Sequence, residues 1–506
     1  MKRSVAAWSF AGVLAGFTGL AVNYALTAWW DQTSAVVAVA DVVRDHSPAD
    51  LVNWARKNSG KKITIPVILL ILAAVFALAG RLGRRTIAAA ACVYLVVAVI
   101  GGAAVLAVNG AKATDLVAVA LGLVVMVASM AAIGRRLSRL QSLDDQDVFG
   151  VVWRGRRRDL FAVIAAVAGA AVAATVASRF LGQDVRKQKA EQQSLRLPVS
   201  KPVVPPGVEL DIDGVQPWET PADEFYLIDT AFSRPVLLAE DWELRIHGMV
   251  DREIVLTYND LIAREGVEAW ITLNCVSNEV GGDLIGNAWW SGVLLAPILA
   301  EAGPQAGADA VLQTSVDGWD CATPLDVIMD GRQAMLAVAM NGDPLPRDHG
   351  YPVRTIVPGL YGYVSGTKWV VEMEVTTFEK VDAYWTQRGW GELGPVKMAS
   401  TIEVPSDGDD VSAGEVVVAG TAWIQHTGIS SVDVQVDGGP WTPATLGRAA
   451  NLDTWVQWKV TLDLEEGEHM VSVRATDADG NVQTSVRADV LPDGATGWHS
   501  VSFTAS

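Results

Sequence analysis

Three cysteines cannot staple a chain of 506 residues, so no disulfide framework organises it. No C-x-x-C-H occurs, and none of the six histidines (His46, His247, His349, His426, His469, His499) falls in a long apolar run. These absences argue against a covalently attached haem and against a membrane haem held between paired histidines. Positive charge is scarce after Gly182, where 20 Lys and Arg stand against 48 Asp and Glu; up to Gly182 the balance is reversed, 19 against 9. A soluble part this acidic argues against nucleic acid and anionic lipid as docking surfaces. The length alone implies several structural units.

Long apolar runs are abundant in the first third. Five of them, roughly Val5–Trp29, Ile63–Gly80, Thr86–Val108, Leu116–Ile133 and Leu160–Leu181, are about long enough to cross a bilayer. Their Ala, Val and Gly content predicts close helix packing. Lys2 and Arg3 precede the first run, Arg81, Arg84 and Arg85 follow the second, and Arg135, Arg136, Arg139, Arg154 and Arg156–Arg158 separate the last two. If those basic loops are cytoplasmic, everything after Leu181 lies outside. Arg156-Arg157-Arg158-Asp159-Leu160-Phe161 reads either as a twin-arginine export signal or as ordinary positive-inside charge. An interfacial helix is expected near Ser47–Lys57. Residues 1–182 are thus expected to form an all-α membrane domain of about five helices.

Residues 183–207 are charged, then Pro-rich, and read as a tether. From about Val208 short strands alternate with short helices, an α+β pattern that ends near Thr401. Its centre is ITLNCVSNEVGGDLIGNAWWSGVLL, Ile271–Leu295. A short apolar strand ends at Asn274-Cys275, a Gly-rich turn follows, and a helix start is expected after Trp289 and Trp290. Gly281, Gly282 and Gly286 let backbone crowd the thiol. Cys275 is therefore a candidate thiolate metal ligand; the other readings are a small buried hydrophobe or half of a disulfide with Cys321. Residues 402–506 alternate apolar and polar residues between Asp-Gly and Gly-Gly turns, the pattern of an immunoglobulin-like β-sandwich.

LNCVSN followed by MNGDPLPRDHGYPVRTIVPGLYGYVSGTKW resembles the molybdenum-cofactor domain of the sulfite oxidase family, including its bacterial methionine sulfoxide reductase branch. The resemblance implies a sulfite-oxidase-like fold with a C-terminal dimerisation domain. It also implies a molybdopterin cofactor carrying molybdenum, or tungsten in its place. Cys275 matches the metal ligand, a soft donor suited to such a site. His349, Arg354 and Lys368 match the phosphate- and pterin-binding groups, with Gly366 and Thr367 in the turn before the lysine; Tyr226, after Phe225, matches a pterin contact, and Thr314 is a further carry-over. Arg grips phosphate bidentately, and a Gly-rich turn adds amide donors.

Three departures bear on the substrate. Asn278-Glu279-Val280 stands where sulfite oxidases carry Asn-Arg-Arg, Ile228-Asp229-Thr230 replaces a segment with an arginine, and Trp390 replaces a tyrosine near the metal. A dianion needs a cationic pocket, so sulfite is not the expected substrate. Asp229 is the acid–base candidate by position, and Trp289, Trp290, Trp319, Trp385 and Trp390 are candidate pocket walls. The expected activity is oxygen-atom or electron transfer on a small molecule, with electrons passing to a separate protein or quinone-linked subunit. A homodimer through the C-terminal domain is implied by the resemblance. The competing readings are a cofactor-free surface scaffold on the same fold and a thiol hydrolase using Cys275 and His349.

Overall fold

The computed structural model describes residues 2–30, 32–48, 61–108, 111–144, 150–181, 183–195, 197, 199–231 and 234–506. It divides into two compact units: Met1–Ala190 with Ala231–Val236, and Glu191–Thr230 with Leu237–Ser506.

The first unit is helical. Lys2–Trp29 packs against Lys61–Gly83, Leu116–Asp144 and Gly150–Leu181. Glycine makes the approach close. A Cβ at Gly12 would lie 2.2 Å from the Phe76 carbonyl, and one at Gly80 would lie 2.0 Å from that of Trp8. Trp8, Phe76, Tyr94 and Met130 fill the centre. Among the described residues, four helices are long and apolar enough to cross a membrane: Val5–Trp29, Ile65–Gly83, Ile87–Ala107 and Ala113–Arg139. The expected fifth run lies in Gly150–Leu181, but its described apolar stretch, Leu160–Val176, is shorter. The first loop carries a helix at Ala35–Asp45, capped by Ser34 Oγ accepting from the Val37 N–H. The helix expected near Ser47–Lys57 falls, beyond Pro48, outside the described residues.

The expected tether departs from a flexible linker, because Gln183–Ser194 is helical. The segment contains no Pro or Gly and is mostly Gln, Lys, Arg, Glu and Ala, strong helix formers, with no apolar stripe. The Pro-rich remainder is irregular.

The second unit begins with ten strands: β1 (Glu243–Gly248), β2 (Ile254–Thr257), β3 (Val267–Asn274), β4 (Ile285–Leu294), β5 (Ala310–Ser315), β6 (Asp320–Pro324), β7 (Met335–Met340), β8 (Asp343–Pro344), β9 (Arg354–Ile356) and β10 (Val370–Thr376). One sheet runs β2-β1-β10-β5-β6, the other β3-β4-β7-β8 with β9 on β7. Both feed a single core that includes Trp242, Trp290, Leu336, Tyr351 and Met373. Trp289 and Trp290 lie inside β4, not at a helix start; the helix begins at Leu295. A strand buried on both faces has no alternation to betray it.

Nine more strands follow: β11 (Ala399–Val404), β12 (Asp410–Val411), β13 (Gly414–Trp423), β14 (Ile429–Val436), β15 (Trp441–Pro443), β16 (Thr445–Leu446), β17 (Val456–Leu464), β18 (Gly467–Asp477) and β19 (His499–Ala505). They form two sheets, β11-β13-β17-β16 and β12-β19-β18-β14-β15, around one core of Val418, Val434, Trp458, Val473 and Phe503. The boundary expected after Thr401 falls inside β11, which already pairs with β13.

The sandwich covers the edge of β3. Thr272 N–H donates to the Asp453 carbonyl at 2.9 Å, and Trp455 N–H to Thr272 Oγ1 at 2.8 Å. Gln425 Nε2 reaches the Thr272 carbonyl and Asn451 Nδ2 that of Trp270. The strand that delivers Cys275 is therefore held on both sides, and its edge is not left open. An aromatic cluster of Trp218, Trp270, Trp289, Tyr361, Trp390, Trp423 and Trp455 fills the seam.

Candidate functional site

Cys275 is buried at the end of β3. The following loop closes on itself: Cys275 N–H donates to the Leu284 carbonyl at 3.0 Å, Asn278 N–H to the Cys275 carbonyl at 2.9 Å, and Leu284 N–H to Asn278 Oδ1 at 2.9 Å. Gly282 is required there, since a Cβ would sit 2.6 Å from Asn278 Oδ1. Cys275 and Cys321 are both thiols, so the disulfide between them does not form. The Cys321 thiol instead meets Thr367 Oγ1 at 3.2 Å, and burial pushes it up to about 12.

Arg354 opens β9 and is buried. Its guanidinium lies 5.3 Å from the Trp290 ring centroid, and Nη1 donates to the His349 carbonyl at 3.2 Å. Nε has no hydrogen-bond partner, and among the described residues no carboxylate pairs with the group. Burial pulls its proton affinity down to about 10, against a smaller opposing effect of Tyr226. A desolvated cation of this kind calls for an anion.

The other expected residues converge on it. His349 ends a short turn, Arg347–His349, and its Nε2 donates to the Ala222 carbonyl at 3.0 Å. A carbonyl only accepts, which fixes the tautomer. Phe225 meets the His349 ring edge-on at 5.7 Å and stacks on Tyr226 at 5.2 Å. The Tyr226 phenol is held far above its ordinary value by burial first, then by Cys275, with Arg354 opposing. Lys368 pairs in register with Arg354, and its Nζ meets Asp229 Oδ2 at 3.3 Å. Asp229, the acid–base candidate, is thus the partner of a buried lysine. Gly366 brings the turn against Arg354, for a Cβ there would lie 3.3 Å from Nη2.

A buried relay fixes this turn. Thr367 N–H donates to Thr355 Oγ1 at 2.8 Å, and that hydroxyl donates to Gln313 Oε1 at 2.6 Å. Gln313 Nε2 reaches Thr323 Oγ1 at 2.7 Å, and Thr323 donates to the Val364 carbonyl. Each member is satisfied, which makes such a network rigid.

Two expected residues stand apart. Thr314 sits in β5 opposite Asp320 and Glu372, with no hydrogen bond to the cluster. Trp390 packs with Tyr363 at 5.9 Å and Trp385 at 6.1 Å, so it belongs to an aromatic wall. Sequence reasoning missed Tyr361. It is buried, feels the charge of Cys275, and accepts the Lys397 N–H at 3.2 Å. Its place in the VPGLYG turn beside the matched motif is the signal that points to it.

Residues 231–385 match the family model of the oxidoreductase molybdopterin binding domain. Human mitochondrial sulfite oxidase is 29% identical over 306 residues, covering 51% of this chain and 56% of that protein. The uncharacterized oxidoreductase YuiH of Bacillus subtilis (strain 168) is 32% identical over 153 residues, 30% of this chain and 74% of that one. The sulfane dehydrogenase SoxCD from Paracoccus pantotrophus superposes with a TM-score of 0.48 at 24% identity, over 59% of this chain and 83% of that chain. The chain spans about half the length of the mammalian sulfite oxidases it matches, 56% for the human protein.

Proposed function

The chain belongs to the sulfite oxidase family of molybdopterin-binding oxidoreductases, and on that premise we propose a membrane-anchored enzyme with its cofactor domain outside the cytoplasm and a small substrate other than sulfite. The observation that carries the reading is Arg354: a buried guanidinium with an unpartnered Nε and, among the described residues, no carboxylate, set against the Gly366 turn and near a Tyr226 that feels both it and Cys275. These residues fit an anionic cofactor.

When bound, the cofactor supplies a metal, molybdenum or tungsten, that exchanges an oxygen atom or electrons with substrate. Cys275 is the protein's ligand to that metal. Arg354, His349 and Lys368 would hold the phosphate and pterin, with the Gly366-Thr367 turn and Tyr226 contributing to the same site. Asp229 orients Lys368 through their ion pair. Tyr361 keeps its phenol proton, because burial and then the charge of Cys275 hold it above its ordinary value. Trp390 excludes water from the substrate side.

Sulfite is disfavoured by Glu279 and Val280 on the cysteine loop and by Asp229 at the lysine, three positions where a dianion needs cations. The arginine-rich loops support a cytoplasmic N-terminus. The two-sheet core of residues 399–506 supports an immunoglobulin-like domain, through which two copies would pair. Electrons pass to a separate carrier protein or a quinone-linked subunit. The test is to purify the full chain in detergent from a host that makes the cofactor, denature it and read pterin fluorescence. About one pterin per chain is expected; folded protein without pterin would contradict the reading.

A further inference from the structure

His349 sits on a turn with two fixed ends. Leu345 stands before it and Tyr351 after it, and both are tied to consecutive residues of the segment that enters this unit. Gln192 Nε2 donates to the Leu345 carbonyl. Glu191 Oε2 accepts the Tyr351 hydroxyl at 2.8 Å and the Ala239 N–H at 3.0 Å, while Oε1 accepts the Glu240 N–H at 3.4 Å. Tyr351 is fully buried, so its hydroxyl leans on this carboxylate inside the core. Leu195 and Leu197 pack the segment onto the same core.

The segment also walls a cavity. Gln192, Leu195, Ala222, Phe225 and His349 line a space of about 1510 Å³. His349 and its acceptor residue Ala222 thus share the lining of one space with the incoming segment.

We propose that Glu191 and Gln192 are positioning residues for the cofactor: by gripping Leu345 and Tyr351 they strap the turn between them and set the pose of His349. The proposal rests on the molybdopterin reading above. It assigns a role to a segment that the sequence marks only as a tether. The carboxylate acts as an acceptor for a buried hydroxyl, and a hydrogen bond to a charged group is among the stronger ones available.

The test uses the full chain in detergent, loaded with cofactor, and reads the rate of pterin release by fluorescence together with the melting temperature of cofactor-free protein. Tyr351→Phe removes one oxygen and keeps the ring in place. It is expected to speed release about tenfold, as is Glu191→Leu. Glu191→Gln, which retains an acceptor for Tyr351, should stay within about twofold of the parent. The double variant Glu191→Leu with Tyr351→Phe should be no faster than Glu191→Leu alone, because Glu191→Leu already removes the bond that Tyr351→Phe removes. Pterin present but released at the parental rate from every variant would overturn the strap and leave the family reading intact. Equally fast release from Glu191→Gln and Glu191→Leu would overturn the strap in the same way. A parent chain without pterin would overturn both.

Discussion

Arg354 Nη1 donates to the carbonyl of His349 at 3.2 Å, and among the described residues that carbonyl is the one acceptor given to a buried guanidinium. A cation so poorly matched is a cost to the folded chain unless an anion arrives. The two residues lie five apart across Gly350, whose φ of +110° turns the chain and lets Arg354 and Lys368 come together.

Arg354→Met should therefore separate stability from binding. Cofactor-free protein is expected to gain about 1–2 kcal/mol, because a buried uncompensated charge is replaced by an apolar chain. The same variant should hold no pterin. Chemical denaturation and pterin content, measured on one preparation, check both halves.

The Lys368–Asp229 pair behaves in the opposite way. Their side chains are only 10% and 8% exposed, so breaking the pair leaves a charge with little access to water. Asp229→Asn or Lys368→Met alone should cost about 3 kcal/mol, and the double variant should recover much of that loss. If Asp229 were instead a proton-transfer group, Asp229→Asn would abolish turnover with stability unchanged. Unfolding curves of the four proteins distinguish the two roles.

Cys321 should resist alkylation. Burial raises its thiol from 9.0 to about 12, so at pH 8 almost none is thiolate. Iodoacetamide should leave it unmodified in native protein and modify it fully after denaturation, as read by peptide mass. The sign for stability follows: a group protonated more tightly when folded contributes fully below pH 9, and the contribution is lost between pH 9 and about 12.

The helical unit makes its own prediction. Gly80→Val would drive a side chain into the Trp8 carbonyl, 2.0 Å from the position of the first added carbon. The helix Lys61–Gly83 would have to move away from Lys2–Trp29. Thermal unfolding of the full chain in detergent should show a lower transition for the helical unit, while Gly169→Ala, with nothing within 4 Å, should not.

Part of this is legible in the residues alone. The apolar run before Cys275 and the glycines after it announce a strand end and a tight loop, and both are there. The spacing from Asn341 to Lys368 brings His349, Arg354, Gly366 and Lys368 together as the resemblance implies. Periodicity misplaces Trp289 and Trp290, because a doubly buried strand and a helix share one apolar signature. Gln183–Ser194 reads as a tether because its helix rests on propensity and offers no stripe. Lys368 with Asp229, and Tyr351 with Glu191, are separated by 139 and 160 residues. No local pattern encodes such pairs; only the packed sheets bring them within reach.

The central claim is that Cys275 holds a metal within this cluster. Elemental analysis of the full chain, made in a host that synthesises the cofactor, tests it most directly. About one molybdenum or tungsten per chain is predicted for the parent, falling to background in a folded Cys275→Ser variant. Metal retained in full by that variant would contradict the ligand assignment.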